Sequence, residues 1–190
     1  PSGGGQNQVE FVASGTLPNG KPVVLKSNGQ VEAISESAAA IAQNIPVGSE
    51  VTFNSGETQF TMIAFDPNTT GKFVVAYQDG GNTNDCTAVV GTISGNTISF
   101  GSEVDLNTAN VNYVAVAFDP STAGKCMIIY QSDSSGPGVG YARVGTISGT
   151  SISFGSEATF EAGDSYSHAS IAADPNTANK YVIVYRDNNA

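Results

Sequence analysis

Tryptophan is missing from the sequence, histidine occurs once, and basic residues are few, and these scarcities narrow the possible functions. Seven Lys and Arg against seventeen Asp and Glu give a formal net charge of -10. This balance argues against binding to nucleic acid, whose phosphates need clustered basic side chains. It argues equally against an anionic membrane surface. The apolar runs also stay well short of the roughly 18 residues that a membrane span needs.

Catalytic chemistry has few residues to work with. Any hydrolytic triad would have to include His168, the only histidine, in the segment Asp164-Ser165-Tyr166-Ser167-His168. The sequence shows no nucleophile elbow, zinc-ligand pair or phosphate-binding loop. We therefore interpret His168 as a surface residue beside a strand. We predict that the protein is not an enzyme, that it has no catalytic, cofactor-binding or metal-binding residues, and that it needs no cofactor.

One unit is repeated between residues 48 and 190. Copies of a turn lie 53 and 55 residues apart and read Asp66-Pro67-Asn68-Thr69-Thr70-Gly71-Lys72, Asp119-Pro120-Ser121-Thr122-Ala123-Gly124-Lys125 and Asp174-Pro175-Asn176-Thr177-Ala178-Asn179-Lys180. A second segment, Gly91 to Glu103, recurs 54 residues later as Gly145 to Glu157. Its last three residues, Gly-Ser-Glu, also occur alone at Gly48-Ser49-Glu50. Self-similarity at a fixed period indicates a repeat architecture.

Composition and pattern predict an all-β fold, since the chain has 22 glycines and many Ser, Thr and Asn residues. The residue pattern of the repeat predicts four antiparallel strands per copy. Strand one is Phe60–Phe65, Tyr113–Phe118 and Ala169–Ala173. Strand two is Phe73–Tyr77, Cys126–Tyr130 and Tyr181–Tyr185. Strand two is apolar throughout and must be covered on both faces. Strand three (Thr87 to Ile93) and strand four (Thr97 to Phe100, running on to Leu106) alternate and should be outer, half-exposed strands.

Such units are typical of β-propeller blades, and an open stack of small sheets is the alternative. Residues 48–190 supply about 2.6 blades, whereas a closed ring needs at least about four. We expect this chain to be the N-terminal part of a longer polypeptide; the alternative is that several chains complete one another's rings. Residues 48–53 then predict an outer strand that closes the last blade of the ring.

Residues before the repeats divide into three segments. Residues 1–8, with three consecutive glycines, predict a flexible leader. Residues 9–34 hold two Asn-Gly pairs, at Asn19 and Asn28, between short β-prone runs, and they predict hairpins in a small three-stranded module. Residues 35–47 predict a linker or a short helix, ended by Pro46.

The turn and the cysteines allow two local predictions. Gly71, Gly124 and Asn179 share one column of the repeat, and only Gly and Asn readily tolerate a left-handed backbone, so we predict a positive φ there. Cys86 and Cys126 do not recur in the other copies. Cys126 lies in an apolar strand, and buried free thiols are favoured over a disulfide, so the fold should not depend on an oxidising compartment.

Recurring polar residues favour a scaffold role, because a single active site would need them only once. They are Glu50, Glu103 and Glu157, then Asp66, Asp119 and Asp174, then Asp79, Asp133 and Asp187. The non-recurring acids carry more information about a site but show no paired spacing; they are Glu57, Asp85, Asp105, Glu161 and Asp164. Calcium could bind at Asp79, Asn82, Asn84 and Asp85, although a solvated loop is favoured. Tyr77, Tyr130 and Tyr185 could stack on sugars, although inward packing is favoured.

The repeat resembles one found in virion structural proteins of tailed bacteriophages, especially tail and fibre-like proteins of phages of marine and cyanobacterial hosts. The likeness covers residues 48–190 and lies in Val-Ala-Phe-Asp-Pro, the turn with Lys, the apolar strand ending in Tyr, and the Gly-Thr-Ile-Ser-Gly and Ser-Ile-Ser-Phe-Gly-Ser-Glu segments. Residues 11–31 are similar to a small β module that precedes such repeats. No catalytic residues come with the family.

The resemblance implies a virion structural protein, tail-associated or fibre-like, in the extracellular particle. Its N-terminal module would dock on other tail proteins, and its propeller would serve assembly or contact the host surface, including a host-surface glycan. We expect a homo-oligomer. The alternatives are a secreted carbohydrate-binding or glycan-cleaving propeller and a self-assembling surface filament subunit.

Overall fold

A computed structural model describes residues 12–13, 23–28, 30–33, 48–133, 138–162 and 166–187. The chain divides into two compact units, residues 1–46 and 47–190. The described residues form strands and turns, with no helix among them and therefore none able to cross a bilayer. The all-β class is confirmed. The predicted leader (1–8) and the predicted linker or helix (35–47) both lie outside the described residues.

The first unit contains one three-stranded sheet. Its strands are β1 (Val12–Ala13), β2 (Val23–Leu25) and β3 (Gln30–Ala33), in the order β1-β3-β2. Strands β2 and β3 form the antiparallel hairpin predicted at Asn28, whose Oδ1 accepts the Gln30 N–H at 3.1 Å. Strand β1 pairs with β3 in parallel, so β1 and β2 are not neighbours. The hairpin predicted between those two strands is therefore wrong.

The second unit repeats one antiparallel topology. The first sheet contains β4 (Thr58–Phe65), β5 (Lys72–Asp79), β6 (Asp85–Ser94), β7 (Thr97–Phe100) and β8 (Val104–Asn107). The second contains β9 (Val111–Phe118), β10 (Lys125–Ser132), β11 (Val139–Ser148), β12 (Ser151–Phe154) and β13 (Ala158–Glu161). The third contains β14 (Tyr166–Ala173) and β15 (Tyr181–Asp187). In both five-stranded sheets the third strand pairs with the second strand on one side and with both short strands on the other.

The fourth strand of the first two copies is split in two, which corrects the continuous strand predicted from Thr97 to Leu106. The break falls at Gly101, whose N–H bonds to the Val90 carbonyl at 2.9 Å. A Cβ on Gly101 would lie 1.9 Å from the Thr150 carbonyl oxygen of the second sheet. The two sheets approach each other so closely here that only glycine fits.

Residues 48–53 do not form the predicted outer strand. A strand needs a neighbour for its backbone hydrogen bonds, and β6 and β11 supply it to the equivalent strands β8 and β13. Residues 48–53 take part in none of the strand pairings of the described second unit. Phe53 nevertheless packs on the first sheet, with its ring 5.1 Å from Tyr77 and 5.9 Å from Phe100.

Strand two is covered on both faces in the first two sheets, as predicted, whereas in the third sheet Val182 and Val184 of β15 are exposed. Val74 and Ala76 of β5 pack with residues of the second sheet, and Phe73 and Val75 form a separate cluster on the opposite face. Strand three was predicted to be half exposed, which is wrong for its first part. Residues 85–91 of β6 are all buried, because β8 pairs with this part of the strand and the second sheet packs against it.

The predicted left-handed column is also confirmed. The φ angle is 71° at Gly71, 68° at Gly124 and 57° at Asn179. Each of these residues comes directly before the lysine that precedes or begins strand two. Asparagine substitutes for glycine in this column because it tolerates the same backbone conformation.

Candidate functional site

The recurring turn fastens each sheet to the next one. Asp66 Oδ1 accepts the Asn68 N–H of its own turn at 2.9 Å, and its Oδ2 accepts the Gly124 N–H of the second sheet at 2.8 Å. Asp119 repeats this arrangement with Ser121 at 2.8 Å and with Asn179 of the third sheet at 2.8 Å. We call this pair of bonds the aspartate latch. Aspartate suits this position because its ionised carboxylate is a strong acceptor and can take hydrogen bonds from two backbone N–H groups.

The hydrogen bonds of the latch also shift the pKa of Asp119. Backbone hydrogen bonds from Ser121 and Asn179 hold the pKa of Asp119 below its ordinary value. A lowered pKa in the folded state means that the latch stabilises the fold above the unfolded pKa of about 3.9. The stabilisation is lost as the pH falls through the folded pKa, because the protonated carboxyl is a weaker acceptor.

A tyrosine and a glutamate form the second recurring contact. The Tyr77 hydroxyl donates to Glu103 Oε1 at 2.6 Å, and the Tyr130 hydroxyl donates to Glu157 Oε2. Both tyrosines are fully buried, so their rings cannot stack on a sugar. Tyr185 instead donates to Glu161 Oε2 of the second sheet, at 2.9 Å. The Asn107 amide of the first sheet likewise donates to Glu157 at 3.2 Å, so these contacts also cross between sheets.

The buried tyrosines predict a steep loss of stability at alkaline pH. Burial, followed by the glutamate hydrogen bond, raises the pKa of Tyr77 and of Tyr130, while the unfolded tyrosines ionise at about 10. Their stabilisation is complete below that pH and is lost as the pH rises. Above about pH 10 each should cost about 1.4 kcal/mol of unfolding free energy per further pH unit. Urea titrations from about pH 9 to about pH 12 measure where the loss begins and its slope.

Tyr130→Phe is the matched variant for this experiment. It keeps the ring and removes the ionisable hydroxyl, so the slope of unfolding free energy against pH should fall by about 1.4 kcal/mol per unit. In this variant the remaining buried tyrosine, Tyr77, should ionise only when the protein unfolds, so its tyrosinate absorbance should appear together with unfolding. An unchanged slope in Tyr130→Phe would contradict the argument.

A third recurring feature was not predicted from the sequence. Phe60, Tyr113 and His168 occupy one column of the repeat, and each has a positive φ, of 49°, 50° and 54°. Register shifts interrupt the pairing of each first strand around these positions. The Phe60 and Tyr113 rings are 5.4 Å apart and the Tyr113 and His168 rings 5.5 Å apart. We call these three rings the aromatic row, and alignment of the repeats could have revealed it.

His168 therefore differs from the prediction of a surface residue beside a strand. It is exposed, but it lies within β14 and its ring extends the aromatic row. Positive φ is unfavourable for non-glycine residues, so three occurrences at one repeat position show that the surrounding sheets hold the bulge in place.

The proposed calcium loop uses its carboxylates internally. Asp79 Oδ1 accepts the Gly81 N–H at 2.9 Å, and Asp85 Oδ1 accepts the Thr83 hydroxyl at 2.7 Å. Asn82 donates instead to Asp105, at 3.2 Å. Within the described residues, no three His, Cys, Asp or Glu side chains converge as metal ligands would.

Both cysteines are buried free thiols, as predicted. Cys86 and Cys126 are fully buried in the cluster between the first two sheets. Burial raises the pKa of both thiols, that of Cys126 to about 12, so they stay protonated and unreactive at neutral pH.

These features define a repeat protein of stacked antiparallel sheets, joined by aspartate latches and by tyrosine–glutamate contacts. Comparison with protein-family models, with curated proteins and with solved structures found no match.

Proposed function

We propose that this chain is a virion structural protein, tail-associated or fibre-like, and that its three sheets are consecutive blades of a β-propeller. In this proposal the first unit docks on other tail proteins, and the blades serve assembly or contact the host surface. The protein would reside in the extracellular particle and would not be an enzyme.

One observation carries the structural part of the proposal. Several of the recurring polar residues hold one sheet to the next. Asp66 and Asp119 bind the following sheet through its backbone, and Glu157 receives hydrogen bonds from residues of two different sheets. A chain that uses its repeated polar residues in this way is built to extend a stack, which suits a component of a larger assembly.

The propeller is supported by the order of strands within the sheets. The first strands β4, β9 and β14 of successive sheets lie next to one another, and the short strands lie at the opposite edge. Neighbouring first strands at the inner edge are the arrangement of propeller blades around a channel. The virion assignment comes from the likeness of the repeat segments to those of phage tail proteins.

The aromatic row favours a second candidate, a carbohydrate-binding protein. Phe60 is 37% exposed and His168 is also exposed, so part of the row is open to solvent. Aromatic side chains present apolar faces with defined geometry, and Tyr and His add a polar group that can fix orientation. In this candidate function the row would contact a host-envelope polysaccharide.

Immuno-electron microscopy tests the proposal. Antibodies against residues 48–190 should label the tails of purified particles, and the same antibodies preabsorbed with the purified chain should not. Absence of the protein from particles would contradict the virion role. If the purified chain were instead retained on host-envelope polysaccharide, and Tyr113→Ala weakened that retention by roughly tenfold, the second candidate would be favoured.

A further inference from the structure

We propose that copies of this chain associate head to tail, with the outer face of the third sheet packed on the outer face of the first sheet of the next copy. The inference deepens the proposed function, since both treat the sheets as one continuing series. It names the partner, a second copy, and the two surfaces that meet.

The two surfaces are exposed counterparts of residues that are buried inside the stack. We call Val182, Val184 and Asp174 the β15 face. The side chains of Val182 and Val184 are each 59% exposed, whereas their equivalents in the first sheet, Val74 and Ala76, are fully buried. In the first sheet these positions pack against the second sheet, so the third sheet presents the same apolar surface without a cover among the described residues.

The opposite end of the stack shows the complementary surface. We call Ile63, Phe65 and Gly71 the β4 face. Ile63 is 58% and Phe65 is 55% exposed, whereas the equivalent residues of the second sheet, Val116 and Phe118, are 9% and 6% exposed. Val116 and Phe118 belong to the same cluster as Val74 and Ala76. The β4 face is therefore the surface that a β15 face fits.

The aspartate latch supplies the polar half of the match. Asp174 Oδ1 accepts the Asn176 N–H at 2.9 Å, as the other latch aspartates do within their turns. Its Oδ2 lies 3.6 Å from Lys180 Nζ, where Asp66 and Asp119 instead bind the next sheet. Gly71, with φ 71°, has the backbone conformation of the two residues that receive a latch. Asp174 Oδ2 would thus accept a hydrogen bond from the Gly71 N–H of a second copy.

This contact is heterologous, because two different surfaces meet. A heterologous contact leaves one free face of each kind on every dimer, so assembly continues until a ring closes or a filament forms. The net charge of -10 opposes association of like copies, and added salt should screen that repulsion. Association should therefore strengthen with ionic strength.

Sedimentation velocity tests the proposal over a wide concentration range at moderate salt. The unaltered chain of 19.4 kDa should form species of increasing mass. Val184→Glu and Ile63→Glu each place a charge on one face and should each weaken association by at least roughly tenfold. Both side chains are already exposed, so both variants should melt like the unaltered chain. Thr97→Glu, at an exposed position of β7, adds the same charge away from both faces and should associate normally.

Mixing the two variants gives the decisive result. Each variant retains one intact face, so an equimolar mixture should form a species of twice 19.4 kDa and nothing larger. The proposal is overturned if the unaltered chain stays at 19.4 kDa, if either variant alone associates as tightly as the unaltered chain, or if the mixture does not recover dimers. Monomeric behaviour would favour a different cover for these faces, such as further repeats. The proposed virion role is tested separately, by antibody labelling of particles, and does not depend on this result.

Discussion

Gly101→Ala is expected to lower the free energy of unfolding by about 3 kcal/mol or more, at the upper end of what overpacking costs. The new Cβ would lie 1.9 Å from the Thr150 carbonyl oxygen, far inside van der Waals contact. That oxygen belongs to backbone, in the turn between β11 and β12, and cannot move aside as a flexible side chain could. Either the two sheets separate or the break between β7 and β8 shifts, and both changes disturb the buried cluster between the sheets.

Gly155→Ala is the matched control for this substitution. Gly155 holds the same place in the second repeat, but the nearest atom to its added Cβ is the Val144 carbonyl oxygen at 3.8 Å. In dilute solution we expect a change within about 0.5 kcal/mol. Thermal melts should show a fall of roughly 2–4 °C per kcal/mol for Gly101→Ala only. Equal destabilisation by both variants would show that the close approach between sheets is not the cause.

Asp66→Ala should cost about 3 kcal/mol, because it removes the acceptor of two backbone donors. The larger part comes from the Gly124 N–H, which is buried and loses its partner in the second sheet. The Asn68 N–H of the same turn can bond to water instead, so its loss costs less. Denaturant titrations should show a lower midpoint with a similar slope, since the stability changes and the extent of unfolding does not.

Asp174→Ala removes the bond within the turn and the exposed contact with Lys180, but no bond to a following sheet. Its Oδ1 accepts the Asn176 N–H just as Asp66 accepts that of Asn68, but no following sheet is bound among the described residues. Its effect on the unassociated chain should be clearly smaller than that of Asp66→Ala, and the difference measures the inter-sheet bond. If the two substitutions were equally damaging, the latch would contribute only to its own turn.

Much of the fold could be predicted from residue patterns alone. The apolar second strands, from Phe73 and Cys126 onward, showed that sheets must cover both faces. The Gly or Asn column at Gly71 and Asn179 predicted the left-handed turn, because few residues adopt that backbone. These signals are local or periodic, so the sequence displays them directly.

The contacts between repeats were harder to predict. Asp66 could be assigned to its turn from sequence, but its bond to Gly124, 58 residues away, depends on the distance between two sheets. The aromatic row was missed because its members differ in type. Phe60 and His168 share a column but not a chemistry, and only the positive φ and the ring distances show that they belong together.

The sequence by itself determined the class of fold, the period of the repeat and the roles of residues within each turn. The tertiary structure decided the split of the fourth strand at Gly101, the latch between sheets and the exposure of Ile63 and Val184 at the two ends of the stack. The reason is physical. Turn geometry and strand pattern depend on neighbouring residues, whereas the approach of two sheets depends on groups that are about fifty residues or more apart in the sequence.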